Sequence, residues 1–443
     1  MTGTFIHMKH LFLLLLCSTF SAVAAQPSGT IYNDLNQNGK KDAGEPGIAQ
    51  VTLSDGYNVV KTDDKGDFTL PANEKGRFVF ATIPSGFKAA TRFYIKIDAR
   101  TERYDIGLVS DAHQQKDQLH FIQVTDTETP IYGPWIDNVR EYARINKIPL
   151  VMHTGDICYE PGMRFHAQQV NSELMGTTVN YAVGNHDLVK GEYGEKLYED
   201  LFGPAYYSFE CGPAYFVVTP MWAGDYPPSY TKDQVIAWLN KDLALKDADK
   251  PLIFVNHDFR IGPDFVLKGK EEETDLKQYN LKAWLFGHWH NNYVFKSPQY
   301  DVTVVSTNAP NKGGIDHAAG QFLHIEVNQE GVTKISPVYT NLRSRIYLAP
   351  PVHSKGQMRF LANVYDSERK AGQVYITGLD PKGHPLFKAE LKPQTDWAWE
   401  GTVPARSFSE ALVEVHYTNG EHELRKQSPY PGKKGFQLKW SHN

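Results

Sequence analysis

The sequence predicts an α/β protein with a central α/β core and a β-sandwich domain on either side of it. Three observations indicate this. Short β-type runs separated by Gly, Asp and Asn fill the first hundred or so residues, strands and helices alternate through the middle, and alternating strand patterns return near the end. A chain of 443 residues is also too long for one ordinary hydrophobic core, so several domains are expected.

The first 25 residues are typical of a secretory signal peptide. Lys9 precedes the short apolar run LFLLLLCSTF, and small residues at Ala22, Ala24 and Ala25 fit a cleavage site. The apolar run is too short to span a membrane as a helix. We therefore expect a secreted or periplasmic protein, with 1–25 removed. Cys17 leaves an outer-surface lipoprotein as the less favoured alternative, because LLLC lacks the small residues usual before a lipidated cysteine.

Three folded regions follow this segment. Residues 26–112, which include GDFTLP and RFVFATI, predict a small β-sandwich, whereas residues 343–443 predict a second β-rich domain through MRFLANVYD and ALVEVHYTNG. Residues 119–340 alternate apolar strands, such as LHFIQVTD and PLIFVNHD, with helices. The helical pattern GPWIDNVREYARINK places six apolar residues on one face: Trp135, Ile136, Val139, Tyr142, Ala143 and Ile145.

Composition narrows the classes of partner and environment. The net charge is −5 and no long basic run is present, so no nucleic-acid-binding signature appears. Beyond the signal peptide, no stretch of ~20 apolar residues predicts a transmembrane helix. Removal of the signal leaves Cys158 and Cys211, which cannot define a disulfide framework; buried thiols are favoured over a single bond.

Polar, metal-competent residues follow the predicted central strands, which end in TDTE, TGD, GNHD, NHD and GHWH. Open α/β sheets bind ligands at the carboxyl edge of their strands, so these side chains should converge. A buried carboxylate is costly unless it is paired or binds a metal, and two divalent cations would satisfy such a set. In an extended segment, residues two apart face the same side, which would aim both GHWH histidines at one point. The residues concerned are Asp126, Asp156, Asn185, His186, His257, His288 and His290.

The order and spacing of TDTE, GDICY, GNHD, NHD and GHWH resemble the calcineurin-like metallophosphoesterase family, and the flanking β domains resemble those of its secreted bacterial members. The resemblance implies a central β-sandwich core with flanking helices, which hydrolyses a phosphate mono- or diester substrate. It implies two divalent metal ions (Mn, Fe, Zn or Mg) that Asp156 bridges and that hold a bridging hydroxide as nucleophile. The other implied ligands are Asp126 and His290 at one metal and Asn185, His257 and His288 at the other.

The resemblance also assigns the general acid and its support. His186 would lie near the leaving group and donate a proton or stabilise phosphoryl charge, and Asp187 would hold the His186 ring.

The first motif departs from the usual Asp-x-His of the family, because it reads Asp126-Thr-Glu128. Glu128 offers an oxygen donor in place of the imidazole, and a harder ligand favours Mn, Mg or Fe over Zn. Alternatively, GDICY matches the GDxxY of purple acid phosphatases, in which Tyr159 would bind ferric iron and colour the protein. A third interpretation is a non-catalytic surface-binding protein with a degenerate core.

A second metal site is expected in the N-terminal domain. DLNQNGKKDAGE, from Asp34 to Glu45, fits the calcium-loop pattern D-x-[DN]-x-[DN]-G-x5-E, with Gly39 at the sharp turn. A polar hairpin without calcium would use the same residue types. The candidate calcium ligands are Asp34, Asn36, Asn38, Lys40 and Glu45.

Overall fold

The computed structural model describes residues 26–262, 264–315, 318–340, 345–367 and 369–428. The predicted signal peptide, together with Cys17, lies outside these ranges. Within them, no helix has both the length and the apolar character needed to cross a membrane.

The N-terminal region is a β-sandwich of two four-stranded sheets, as predicted. One sheet has the strand order β4-β1-β8-β6 and the other β3-β2-β5-β7, and their buried faces share one core. The strands are β1 (Ser28–Asn33), β2 (Thr52–Ser54), β3 (Val59–Lys61), β4 (Asp67–Thr69), β5 (Phe78–Thr82), β6 (Phe87–Ala89), β7 (Tyr94–Lys96) and β8 (Ile106–Ser110).

The central region contains two larger mixed sheets and a two-stranded ribbon, β15-β16. The first large sheet has the order β11-β10-β9-β20-β21 and the second β12-β13-β14-β17-β19-β18. The strands are β9 (Gln118–Val124), β10 (Leu150–His153), β11 (Thr178–Tyr181), β12 (Tyr207–Cys211), β13 (Ala214–Val218), β14 (Leu252–Val255), β15 (Val266–Lys268), β16 (Glu273–Asp275), β17 (Leu281–Phe286), β18 (Tyr293–Lys296), β19 (Thr303–Ser306), β20 (Gln321–Asn328) and β21 (Gly331–Tyr339).

The two large sheets pack face to face, which fixes where their strands end. Phe121 of β9 packs edge-on against Phe216 of β13, with ring centroids 5.5 Å apart. Strands β9, β10 and β11 are parallel in the first sheet, and β13, β14, β17 and β19 are parallel in the second. The carboxyl ends of β9, β10, β14 and β17 carry the predicted metal ligands.

Helices flank this sandwich, and α1 covers the outer face of the first sheet. Its side chains Trp135, Ile136, Val139 and Ala143 are buried, as the sequence pattern predicts. The prediction for Ile145 is wrong, since this residue is 63% exposed at the last position of the helix. The helices are α1 (Pro134–Ile145), α2 (Glu160–Gln169), α3 (Ser172–Met175), α4 (Lys196–Phe202) and α5 (Lys232–Leu245), with 3-10 turns at Asn185–Asp187 and Leu276–Tyr279.

An arginine of the N-terminal sandwich braces loops of the central region. Arg77 pairs with the buried carboxylates of Glu195 and Glu199 at 3.0 and 2.7 Å, and its guanidinium lies 4.6 Å from the Tyr193 ring centroid. It also donates to Ser229 at 3.0 Å. Removing one partner of a buried ion pair leaves the other charge unpaired. The contacts of Arg77 therefore hold the start of α4, the loop before it and the loop that contains Ser229.

The C-terminal region is an eight-stranded antiparallel sheet with a core of its own. Strand β26 pairs with β25 along most of its length and with β27 only through Lys392 and Pro393, so it belongs to both halves of the sheet. The residues of both halves share one core. The strands are β22 (Ile346–Leu348), β23 (Val352–Ser354), β24 (Gln357–Val364), β25 (Ala371–Leu379), β26 (Pro385–Pro393), β27 (Ala398–Pro404), β28 (Glu410–Tyr417) and β29 (His422–Gln427).

Cys158 and Cys211 are both buried and unbonded, which confirms the predicted thiols. Burial is the main cause that raises the pKa of each thiol.

Candidate metal centre

The candidate ligands follow their strands in an unusual backbone conformation. Five of them have positive φ, at Asp126 (51°), Glu128 (43°), Asp156 (54°), His288 (62°) and His290 (50°). Side-chain-bearing residues rarely adopt this left-handed region, and such strain is concentrated at functional sites. The chain thus bends sharply after β9, β10 and β17, and these bends direct the polar side chains that follow the three strands toward one another.

The prediction that His288 and His290 lie on one face of an extended segment is wrong. Strand β17 ends at Phe286, and both histidines follow it in a left-handed turn. They nevertheless reach the same site, each in a different group of side chains.

Two groups of metal-competent atoms share one carboxylate. The first group is Asp126, Glu128, Asp156 and His290, and the second is Asp156, His257 and His288; within each group the ligand atoms lie within 4.8 Å of one another. His290 Nε2 lies 3.4 Å from Asp126 Oδ1 and 3.3 Å from Glu128 Oε1. His257 Nε2 lies 3.1 Å from Asp156 Oδ2. Asp156 is therefore placed between the two groups.

Asn185 joins these side chains through the 3-10 turn Asn185–Asp187. The backbone N–H of His186, the next residue, donates to Asp156 Oδ1 at 3.1 Å. The Asn185 Oδ1 atom is buried and, among the residues that the structure describes, has no hydrogen-bond partner. Asp156 Oδ2 and His257 Nε2 are also buried without a well-formed hydrogen bond, and they face each other at 3.1 Å. Buried polar atoms are rarely left unpaired. Three such atoms, all on candidate ligands, fit a site that cations complete.

The orientation of His257 also fits metal binding. Its Nδ1 lies 2.9 Å from the carbonyl oxygen of Thr154, which accepts the Nδ1 proton and leaves Nε2 free to act as a ligand. Burial alone would lower the pKa of His257, but the charges of Asp156 and Asp126 outweigh this and raise the pKa to about 10. The negative field of these carboxylates thus favours a positive charge at this position, whether a proton or a cation supplies it.

Motif glycines allow the close approach of backbone and carboxylates. A Cβ atom on Gly287 would lie 2.7 Å from Asp126 Oδ2, and one on Gly184 would lie 2.1 Å from Asp156 Oδ1. The backbone N–H of His288 also lies 3.1 Å from both Asp126 carboxylate oxygens. A side chain at either glycine would displace a ligand, because real Cβ atoms essentially never come so close.

Asp187 does not hold the His186 ring, so the predicted role of Asp187 is wrong. Its Oδ1 accepts from the backbone N–H groups of Ile157 and Cys158, both at 2.9 Å, and its Oδ2 accepts from Gly184 at 2.9 Å. The 3-10 turn directs Asp187 inward onto the backbone, where it ties the GDICY loop to the GNHD loop. Burial, followed by repulsion from Asp156, raises the pKa of Asp187 to about 7.

Asp225 takes the role that was expected of Asp187. Its Oδ2 lies 2.8 Å from His186 Nδ1, and its backbone N–H donates to the Asn185 carbonyl at 3.1 Å. Burial would lower the pKa of His186, but the bond to Asp225 and the charge of Asp156 raise it overall. Asp225 lies in the loop MWAGDYPPSY, which has no periodicity and no spacing to GNHD that would have indicated this pairing.

Tyr159 lies beside His186 and is largely open to solvent. The two ring centroids are 5.2 Å apart, and Tyr159 is 52% exposed. The candidate iron ligand of the alternative interpretation therefore contacts the candidate acid.

Lys312 is a second residue that the sequence did not indicate. Its Nζ contacts Glu128 Oε2, while Glu128 Oε1 faces His290. Burial raises the pKa of Glu128, but its contacts with His290 and Lys312 outweigh burial and lower it. Glu128 is therefore an ionised oxygen donor with an ammonium group beside it. A third such residue, Asp258, accepts from Trp289 Nε1 at 3.2 Å and steadies the GHWH turn.

The candidate calcium loop is held by its own side chains. Asp34 accepts from the backbone of Asn38 and Gly39 at 3.2 and 2.8 Å. Glu45 accepts from Leu35 at 2.9 Å through Oε1 and from Asp42 through Oε2, also at 2.9 Å. The amides of Asn36 and Asn38 both donate to Asp42 Oδ2, and the N–H of Lys40 donates to Asn38 Oδ1. The side chains of Asp34 and Glu45, at the two ends of the loop, therefore face its interior.

The fold and the ligand groups define the class of metal-dependent phosphoester hydrolases. Comparison with family models agrees: residues 104–292 match the model described as calcineurin-like phosphoesterase, and residues 35–109 match the model for the N-terminal domain of calcineurin-like phosphoesterases. Together the two matches span more than half of the chain. The chain belongs to the calcineurin-like phosphoesterase family, which is typically dimetal-dependent.

Three similar proteins share little sequence or length with this chain. Colossin-A of Dictyostelium discoideum is 43% identical over 54 residues, which cover 12% of this chain and 0% of Colossin-A, so the chain spans almost none of the length of this curated relative. A conserved uncharacterized protein of Streptococcus pneumoniae, a predicted phosphoesterase, has 11% identity and a TM-score of 0.26 over 62% of this chain and 97% of its own. A novel archaeal phosphodiesterase has 13% identity and a TM-score of 0.27 over 50% and 99%.

Proposed function

We propose that this chain is an exported hydrolase that cleaves phosphate mono- or diesters at a dinuclear metal centre. The observation that supports this most strongly is that Asp156 contributes to both ligand groups, as a carboxylate between two cations would. The first cation would be held by Asp126, Glu128, Asp156 and His290, and the second by Asp156, Asn185, His257 and His288.

Bound divalent cations would polarise the phosphoryl oxygens and lower the pKa of a coordinated water. The side chains of this protein supply the remaining requirements. Thr154 fixes the tautomer of His257, and Asp187 fixes the two loops that carry Asp156 and Asn185. Rigid ligands keep the phosphoryl group in one orientation, which is a large part of what such sites contribute to the rate.

His186 is the proposed acid at the leaving oxygen. The Asp225 carboxylate engages Nδ1, which leaves Nε2 as the ring nitrogen that faces substrate. Asp225 also stabilises the protonated imidazole, so the ring holds the proton that the leaving oxygen needs. Tyr159 packs against the same ring and limits its rotation.

We infer that Glu128, and not Tyr159, completes the first metal site. Glu128 lies within the ligand group, whereas the Tyr159 ring is exposed and packs on His186. When Glu128 binds a cation, Lys312 loses much of its attraction to this carboxylate and can turn to a phosphoryl oxygen.

The test of the proposed function combines metal analysis with a panel of esters. Protein purified without chelator should hold about two metal ions per chain, mainly Mn or Fe, and should hydrolyse aryl phosphate mono- or diesters. Chelation should remove the activity, and Mn or Fe should restore it. Protein that holds both metals yet releases nothing from any ester would favour a surface-binding function instead. Visible absorbance from ferric tyrosinate would favour Tyr159 as a ligand over Glu128.

We also propose that the loop Asp34–Glu45 binds calcium after export. The 1–25 segment supports export, and calcium is plentiful outside the cell. Asp34 and Glu45 are buried carboxylates at the two ends of the loop, and within the described ranges their side chains accept hydrogen bonds only from backbone N–H groups. Calcium would stiffen the loop next to β1 and stabilise the N-terminal sandwich.

Calcium should therefore raise the thermal stability of the wild-type protein. At a concentration about 100 times the Kd, binding contributes about 2.7 kcal/mol, which unfolding curves with calcium and with EGTA would detect. Glu45→Gln should remove most of the difference between the two curves. Asp63→Asn, in a neighbouring turn of the same domain, should leave it unchanged. Equal curves for the wild type in calcium and in EGTA would exclude the site.

A further inference from the structure

A second group of metal-competent side chains lies at the far end of β9. His120, His324 and Glu326 have ligand atoms that all lie within 4.8 Å of one another. His120 and Glu326 are directly opposite each other on the antiparallel pair β9–β20, and His324 lies two residues before Glu326 on the same face. All three are half-buried. Six residues of extended chain separate His120 from Asp126, so this group lies roughly 20 Å from the catalytic cluster.

The two imidazoles are held close together in a defined orientation. His120 Nδ1 lies 3.1 Å from His324 Nε2, and the Tyr142 hydroxyl lies 2.9 Å from His324 Nδ1. A histidine that binds a metal through one ring nitrogen usually bonds a neighbour through the other, which fixes the ring and its tautomer. Tyr142 provides this neighbour. Burial and, second, His120 lower the pKa of His324.

We propose that His120, His324 and Glu326 bind a single Zn²⁺ ion, independently of the catalytic centre. Two imidazoles and a carboxylate are a donor set that zinc prefers, with one position left for water. Nitrogens bonded to one tetrahedral zinc at about 2.0–2.1 Å lie about 3.3 Å apart. The two ring nitrogens share a hydrogen bond at 3.1 Å, which is close to that separation. A zinc ion would take the place of the shared proton after the rings turn toward it.

Lys334 competes with a metal ion for the carboxylate of Glu326. Lys334 lies 3.4 Å from Glu326, and its side chain is 63% exposed. An ion pair with so exposed a lysine is weak, and a zinc–carboxylate bond within a three-ligand site is stronger. Zinc would replace Lys334 at Glu326 and fasten β9 to β20 where Tyr142 of α1 contacts the sheet.

Zinc stoichiometry of the full protein tests this site. After dialysis against buffered Zn²⁺, the wild type should hold about one zinc per chain more than His324→Gln or His120→Gln. The Asp156→Asn variant should lose metal from the catalytic centre but keep the zinc ion at His324. Tyr142→Phe should weaken zinc binding at His324 about 10–100-fold. As a matched control, replacement of the exposed His113 by Gln should change nothing, and both site variants should keep phosphoester turnover with Mn²⁺. Equal zinc content in the wild type and both histidine variants would overturn the proposal, whatever the fate of the proposed hydrolase activity.

Discussion

In the Asp156→Asn variant, we expect the turnover of phosphoesters to fall about a thousandfold or more, while the fold is retained. Asp156 stands in both ligand groups, so its loss weakens both cations at once. Metal centres of this kind contribute several kcal/mol of transition-state stabilisation, and each 1.4 kcal/mol or so is a factor of about ten in rate. The measurement is kcat/KM for an aryl phosphate, with the metal content of the same sample.

The fold should survive this substitution for a physical reason. The asparagine carbonyl oxygen can still accept the His186 backbone N–H that Asp156 Oδ1 now accepts. The change removes a charge that repels Asp187 and Asp126 when no cation is bound, but it also removes the charge that lies 3.1 Å from His257 Nε2. Asp126 still faces that nitrogen at 3.8 Å, so the metal-free variant should unfold at a temperature only a little below that of the metal-free wild type. A variant that unfolds much earlier would mean that the loss of turnover reports on the fold.

A matched control is available elsewhere in the central region. Asp242 is also a buried carboxylate, but it accepts from Ser208 and Tyr215, both at 2.8 Å, away from the ligand groups. We expect Asp242→Asn to keep full metal content and turnover. If Asp156→Asn behaved like Asp242→Asn, with both metals and turnover intact, the dinuclear proposal would fail.

The placement of the ligands could be predicted because it depends on order along the chain. Strands β9, β10, β14 and β17 read as apolar runs, and each run ends in a short polar motif. Parallel pairing aligns the ends of β9 and β10 in one sheet and of β14 and β17 in the other, and the face-to-face packing of the two sheets brings both pairs of ends together. The helical spacing of apolar residues also predicted which residues of α1 are buried. It failed at Ile145, the last residue of the helix, because no further helical turn follows to cover it.

The contacts that could not be predicted depend on loop backbones. Adjacency in GNHD suggested that Asp187 serves His186, yet a single 3-10 turn sends the two side chains in opposite directions. Asp225 and Lys312 arrive from loops whose course no periodic pattern specifies. His288 and His290 were expected in an extended strand, but a left-handed turn begins directly after β17. The conformational preferences of the residues themselves do not indicate such strained turns, because the surrounding folded structure imposes the positive φ angles.

His186→Gln is the second substitution with a large expected effect. A positioned general acid contributes about 10²–10⁴-fold, and we expect kcat to fall by that range with a substrate whose leaving group is a poor one, such as an alkyl alcohol. With a nitrophenyl leaving group, which departs without a proton, the loss should be much smaller. Metal content should stay near that of the wild type, because the backbone N–H that contacts Asp156 is unchanged. A loss of equal size for both leaving groups would exclude the acid role.

Substitution of Asp225 and of Asp187 should distinguish a carboxylate that supports the His186 ring from one that supports the loops. Asp225→Asn should reproduce the leaving-group dependence of His186→Gln at smaller size, about tenfold, because the ring keeps its place but loses its negative partner. Asp187→Asn should act differently: it weakens the bonds to Ile157, Cys158 and Gly184, so both leaving groups should suffer alike, and metal content and thermal stability should fall. If Asp187→Asn gave the leaving-group dependence and Asp225→Asn did not, the carboxylate that supports His186 in solution would be Asp187 after all.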